Sequence, residues 1–133
     1  MATKSGLPDP ASLRVLVVED EMLISMMLED MLGDLGHCVL DVAQEVDVAL
    51  ELIRRRADEI DAAVVDANLA GQSAAPVAAA LRVKGIPFII ASGYEGDQLK
   101  SLGFDEAYLR KPYRSDEVDG ALKGLFDRRP RGR

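Results

Sequence analysis

A chain of 133 residues, 48% of them apolar, is long enough to bury one core without staples and too apolar for a disordered polymer. Its net charge of −7 argues against nonspecific nucleic-acid binding, and its single cysteine asks for no oxidising compartment. No apolar run approaches the ~18 residues of a membrane span, so no membrane partner is expected and the cytoplasm is the expected location.

Residues 1–12 (MATKSGLPDPAS) read as a loose lead-in and not as a signal peptide, having no hydrophobic stretch. One domain is expected over 13–127, followed by a basic tail, 128–133 (RRPRGR), read as a solvated end. Leu13 to Val18 (LRVLVV) suits a strand covered on both faces. A helix over Glu21 to Leu35 follows, with Leu23, Ile24, Met27, Leu28, Met31, Leu32 and Leu35 on the inward stripe and Gly36 ending it. Met22 and Met26 fall off that stripe, toward the mouth of the site or a partner surface. His37 and Cys38 read as turn and core residues.

A strand near Cys38 to Val42 leads to a helix over Glu45 to Arg56 whose inward face is Val46, Ala49, Leu50 and Ile53. Ala62 to Val65 is the third strand, and Ala75 to Lys84 a helix with Pro76 in its first turn. Ile86 to Ala91 is the fourth strand, Asp97 to Leu102 a short helix, and Glu106 to Leu109 the fifth strand. A last helix spans Arg114 to Phe126, with Val118, Ala121, Leu122 and Leu125 inward. Five β/α units imply an α/β fold, a doubly wound parallel sheet with helices on both faces.

In such folds reactive groups lie beyond the C-terminal ends of the strands. Strand one ends in Glu19-Asp20-Glu21, strand three in Asp66 with Asn68 two residues on, strand four in Ser92-Gly93, and strand five in Arg110-Lys111-Pro112. If strands one and three are neighbours, Glu19, Asp20 and Asp66 converge, and three carboxylates resist ionising together unless a cation sits among them. Carboxylate oxygens with waters and a carbonyl are what Mg²⁺ prefers. Lys111 adds a mobile positive charge and Ser92 a hydroxyl donor, so the set suits a phosphoryl group that Asp66 attacks at phosphorus.

These residues resemble the receiver domain of two-component response regulators, from Leu13 to about Phe126. The motifs are VVEDE after strand one, VVDAN after strand three, ASG after strand four and YLRKP after strand five. Each alone is common, but the four in order, each at its own strand end, are specific. The resemblance implies the flavodoxin-like strand order 2-1-3-4-5. It implies Asp66 as phosphoacceptor, fed by a histidine kinase or histidine phosphotransferase. It also implies that Asp20 binds Mg²⁺ directly, Glu19 through water and Asn68 through its backbone carbonyl, while the Asn68 side chain tunes how fast the phosphoryl group is lost.

Ser92 and Lys111 would hold phosphoryl oxygens, and the Lys111–Pro112 bond would be cis. Tyr108 stands at the family's aromatic switch position, with an ordinary core residue as the competing reading. The run Phe88 to Tyr94 resembles a subgroup of stand-alone receivers with an aromatic and glycine-rich stretch after strand four. Two departures stand out: Ala70 precedes Gly71 where many receivers have proline, and Gly93 to Leu102 is short for the region of the fourth helix.

The sequence thus reads as a single-domain response regulator, monomer or weak dimer. It would catalyse only its own phosphorylation and dephosphorylation, and would signal by protein contacts or phosphorelay. An aspartyl-phosphate phosphatase would need a second acid where Asn68 stands. A flavin-binding protein would need a Ser/Thr/Gly loop where Glu19-Asp20-Glu21 stands, and a pseudo-receiver would not need the full acceptor set.

Overall fold

The computed structural model describes residues 12–93 and 107–127. In chain order the elements are β1 (Arg14–Val18), α1 (Met22–Asp34), β2 (Cys38–Ala43), α2 (Val46–Arg56), a 3₁₀ turn (Ala57–Glu59), β3 (Ala62–Asp66), β4 (Asn68–Leu69), β5 (Gln72–Ser73), α3 (Ala75–Val83), β6 (Phe88–Ser92), β7 (Tyr108–Arg110) and α4 (Ser115–Asp127). Five of the strands form one parallel sheet in the order β2-β1-β3-β6-β7. This is the doubly wound order expected, with the numbering advanced by a small antiparallel pair, β4–β5.

The strands form where β-branched and small apolar residues run without interruption, and their alternation feeds two cores. Leu16, Val18, Ala63, Val65, Phe88 and Ile90 pack with Val46, Ala49 and Ile53 of α2 and Val77, Ala78 and Leu81 of α3. Val15, Val17, Ala62, Val64, Ile89 and Ala91 pack on the other face with Leu28 and Leu32 of α1 and Val118 and Leu122 of α4. Burial of each such Leu, Ile or Phe is worth roughly 1.5–3 kcal/mol.

Two helices stop in the same way. Gly36 (φ 96°) and Gly85 (φ 72°) take left-handed conformations that favour glycine. His37 N–H then donates to the Leu32 carbonyl and Ile86 N–H to the Leu81 carbonyl, both at 2.9 Å. These are the six-to-one bonds of a glycine-ended helix.

Three expectations need correction. On α1 Ser25, Leu28 and Leu32 are buried and Ile24, Met31 and Leu35 pack partly buried against the same core, but the apolar stripe is wider than its partner surface, and Leu23 and Met27 are exposed along with Met22 and Met26. Cys38 is exposed because it opens the edge strand β2. Asp66 and Ser92 are the last residues of their strands, each of which runs one residue further than the sequence suggested. The expected short helix at Asp97 to Leu102, the start of the fifth strand at Glu106, Tyr94 and both terminal segments lie outside the described residues. Among the described residues no helix is long and apolar enough to cross a membrane.

Candidate functional site

The sheet register sets the site. Val18 pairs with Val65, Asp66 with Ala91, and Ser92 with Arg110, so the ends of β1, β3, β6 and β7 stand side by side. Glu19 prolongs β1 by donating its N–H to the Ala43 carbonyl (2.9 Å), and its carboxylate is buried. Carboxylate oxygens of Glu19, Asp20 and Asp66 all lie within 4.8 Å of one another.

Lys111 reaches this cluster from the far side. Its Nζ donates to Asp66 Oδ2 at 2.8 Å and to Glu19 Oε1 at 3.1 Å, tying together the C-terminal ends of three separate strands. The Lys111 backbone is fixed by its N–H donating to the Ser92 carbonyl at 2.8 Å, and the Lys111–Pro112 peptide is cis. Ser92 is buried beside it.

The remaining bonds orient the acids. Asp66 Oδ1 accepts the Asn68 N–H at 3.1 Å, and Glu19 Oε2 accepts the Glu21 N–H at 3.1 Å. The second bond satisfies a free donor at the start of α1, so Glu19 serves the helix as well as the cluster. The exposed Asn68 side chain accepts the Gly71 N–H at 2.8 Å and closes the β4–β5 turn, where Ala70 (φ 52°) and Gly71 (φ 90°) are both left-handed.

Electrostatics follow from this crowding. Burial, with the Asp66 charge adding to it, pushes the Glu19 carboxyl up to about 7, against the pull of the Glu21 N–H and Lys111. Burial works against the Lys111 ammonium, but its hydrogen bond to Asp66 and the two nearby acids outweigh that, so it stays charged more firmly than an ordinary lysine. The donor set is all oxygen, crowded and short of positive charge, which fits a hard divalent cation at Glu19, Asp20 and Asp66.

Tyr108 is on β7 with its side chain 39% exposed, which removes the core reading for it. The alternation of β7 sends Leu109 inward and Tyr108 and Arg110 outward. His37 is a buried structural residue whose Nδ1 accepts the Leu13 N–H at 3.0 Å. Sequence reasoning missed Tyr113. It is buried in the core between the sheet, α1 and α4, and its phenol is pushed up to about 12 by burial and by the charge of Glu19. A signal existed: it is the apolar ring between the exposed Pro112 and Arg114, at the entry to an amphipathic helix.

No protein-family model matches the chain. It is 34% identical over 122 residues to the two-component response regulator PhoP of Pseudomonas aeruginosa, covering 87% of this chain and 52% of that protein. The chain spans about half the length of the curated relatives it matches. Among solved structures it is 40% identical to SdrG from Sphingomonas melonis, with a TM-score of 0.75 over 87% of this chain and 98% of that one. It is also 26% identical to a response regulator receiver protein from Sinorhizobium medicae, with a TM-score of 0.78 over 90% and 98% of the two chains.

Proposed function

We propose a function from one premise: the chain belongs to the receiver-domain family of two-component response regulators. Receivers are signalling modules, and the reading for this one is that Asp66 accepts a phosphoryl group from a phosphohistidine of a kinase or phosphotransferase. The observation that carries it is the Lys111 ammonium bridging Asp66 and Glu19, with Asp20 completing an oxygen-rich cluster.

An Asp66 carboxylate oxygen forms the new bond to phosphorus as the donor's N–P bond breaks, and the electron pair stays on the donor imidazole. Asp66 is held for this by the Asn68 N–H on one oxygen and Lys111 on the other. Negative charge then accumulates on the phosphoryl oxygens, and Lys111 follows it as a mobile cation while the Ser92 hydroxyl supplies a hydrogen bond. Glu19, Asp20 and Asp66, with the Asn68 carbonyl, would hold Mg²⁺, which when bound supplies further neutralisation of that charge. The product is an acyl phosphate on Asp66, read by protein contacts or passed onward, with Tyr108 as the exposed ring available to report it. A phosphatase reading is not favoured, because Asn68 cannot act as an acid and its side chain is engaged by Gly71.

The test is labelling by a small acyl-phosphate donor with Mg²⁺, read by intact mass. The native chain should gain one phosphoryl group and Asp66→Asn none. Label that survives in Asp66→Asn refutes the assignment.

A further inference from the structure

We propose that Tyr113 is a positioning residue, whose buried ring clamps the turn carrying Lys111 against the sheet and so holds the ammonium on Asp66. The inference rests on the reading of Asp66 and Lys111 as the reacting pair.

Lys111 has a long, entropically costly side chain that must be held at two acceptors, 2.8 Å from Asp66 and 3.1 Å from Glu19. The strand before it is short, β7 having three residues with only Leu109 buried, and on its N-terminal side the Lys111 backbone is tied by its N–H bond to the Ser92 carbonyl. The segment after it is surface, since Pro112, Arg114 and Ser115 are exposed. Between Leu109 and Val118 of α4, Tyr113 is the residue that enters the core, at 8% exposure. It belongs to the core between the sheet, α1 and α4, whose members include Val17, Val64 and Ala91. Those three lie two residues before Glu19, two before Asp66 and one before Ser92, so the core that takes the ring is the one whose strands end in the site. The anchoring is by the ring: aromatic burial supplies the attachment, and the hydroxyl is not needed for it.

The experiment measures labelling rates with an acyl-phosphate donor and Mg²⁺ in the native chain, Tyr113→Leu, Tyr113→Phe, Lys111→Ala and the Tyr113→Leu/Lys111→Ala double variant. Tyr113→Leu should slow labelling about tenfold, because displacing a catalytic group by about 1 Å is that costly or more. The double variant should be no slower than Lys111→Ala alone within about twofold, since residues acting as one unit are not additive. Tyr113→Phe should restore the native rate within about twofold.

Independent effects that multiply in the double variant overturn the proposal, as does Tyr113→Phe falling with Tyr113→Leu. A second readout does not depend on phosphorylation: acylation of Lys111 by an amine reagent should accelerate in folded Tyr113→Leu. Unchanged reactivity there overturns the clamp. Tyr113→Met serves in both assays if the leucine variant does not fold. A native chain that takes no label refutes the acceptor reading instead, and the acylation assay still decides the clamp.

Discussion

Glu19 gives the site a measurable dependence on pH. Its carboxyl is 3% exposed and pushed up to about 7 from an ordinary 4.5, first by burial and then by Asp66. In the unfolded chain Glu19 ionises near the ordinary value, so between the two values the folded state holds a proton that the unfolded state has lost. Stability contributed by Glu19 is therefore fully present below pH 4.5 and is lost as pH rises through about 7. At 1.36 kcal/mol per pH unit the interval amounts to about 3 kcal/mol. Glu19→Gln keeps the shape and abolishes the titration. In chelator-treated buffer, urea denaturation at a series of pH values should show Glu19→Gln gaining about 3 kcal/mol relative to the native chain between pH 4.5 and 7.5. A difference that stays flat within about 1 kcal/mol, or that runs the other way, would show that Lys111 keeps Glu19 ionised and that the crowding argument is wrong.

Two further outcomes bear on the scaffold. Asp61→Ala should cost about 2–3 kcal/mol in urea denaturation, because Asp61 accepts the Arg14 N–H at 2.8 Å and two guanidinium bonds at 3.1 Å; the partly exposed Arg14 keeps the loss from being larger, and a loss below 1 kcal/mol would mean that water already replaces the pair. Ala70→Gly should stabilise by about 0.5–1 kcal/mol, since a left-handed alanine costs about 1–2 kcal/mol and added unfolded-state freedom returns part of that; a destabilised glycine variant would show that the β4–β5 turn gains more from the stiffer residue.

The strands and the residues at their ends were legible from period and position, whereas the strand order, and with it the convergence of Glu19, Asp20, Asp66 and Lys111, was legible through the motif resemblance. Continuous apolar runs specify buried parallel strands, and the residue that ends such a run must be at the sheet's edge. The β4–β5 pair was not legible. Two residues per strand carry no period, and the turn is made by Ala70 in a conformation that sequence assigns to glycine. On α1 the failure had another cause: periodicity reports which residues could face inward, whereas the width of the covering surface decides which do. Leu23 and Met27 satisfy the spacing and remain exposed, while Ser25 is buried with its hydroxyl donating to the Met22 carbonyl at 2.9 Å. Tyr113 escaped notice because it is isolated, with no periodic partner before Val118, so only its exposed neighbours mark it as an anchor.

The register explains why one aspartate in a small apolar run acquires a special environment. Because side chains alternate across a strand, a slip of β3 by one residue would exchange the two faces and turn Val64 and Val65 into the wrong cores. Both faces of β3 are buried, so that slip is excluded by packing on two sides at once, and Asp66 is held at the sheet's edge by residues that have no chemistry of their own. The same pairing puts Ala91 opposite Asp66 and leaves Ala67 beside it, two small neighbours of a carboxylate that is itself buried. Rigid apolar strands thus fix the acids, whereas Lys111 follows a three-residue strand and reaches them through a flexible stem. That asymmetry suits the proposed phosphoryl transfer, in which the ammonium would follow charge from a carboxylate to a phosphoryl oxygen: the flexible stem of Lys111 is the movable part, and its backbone and the buried Tyr113 ring stay in place.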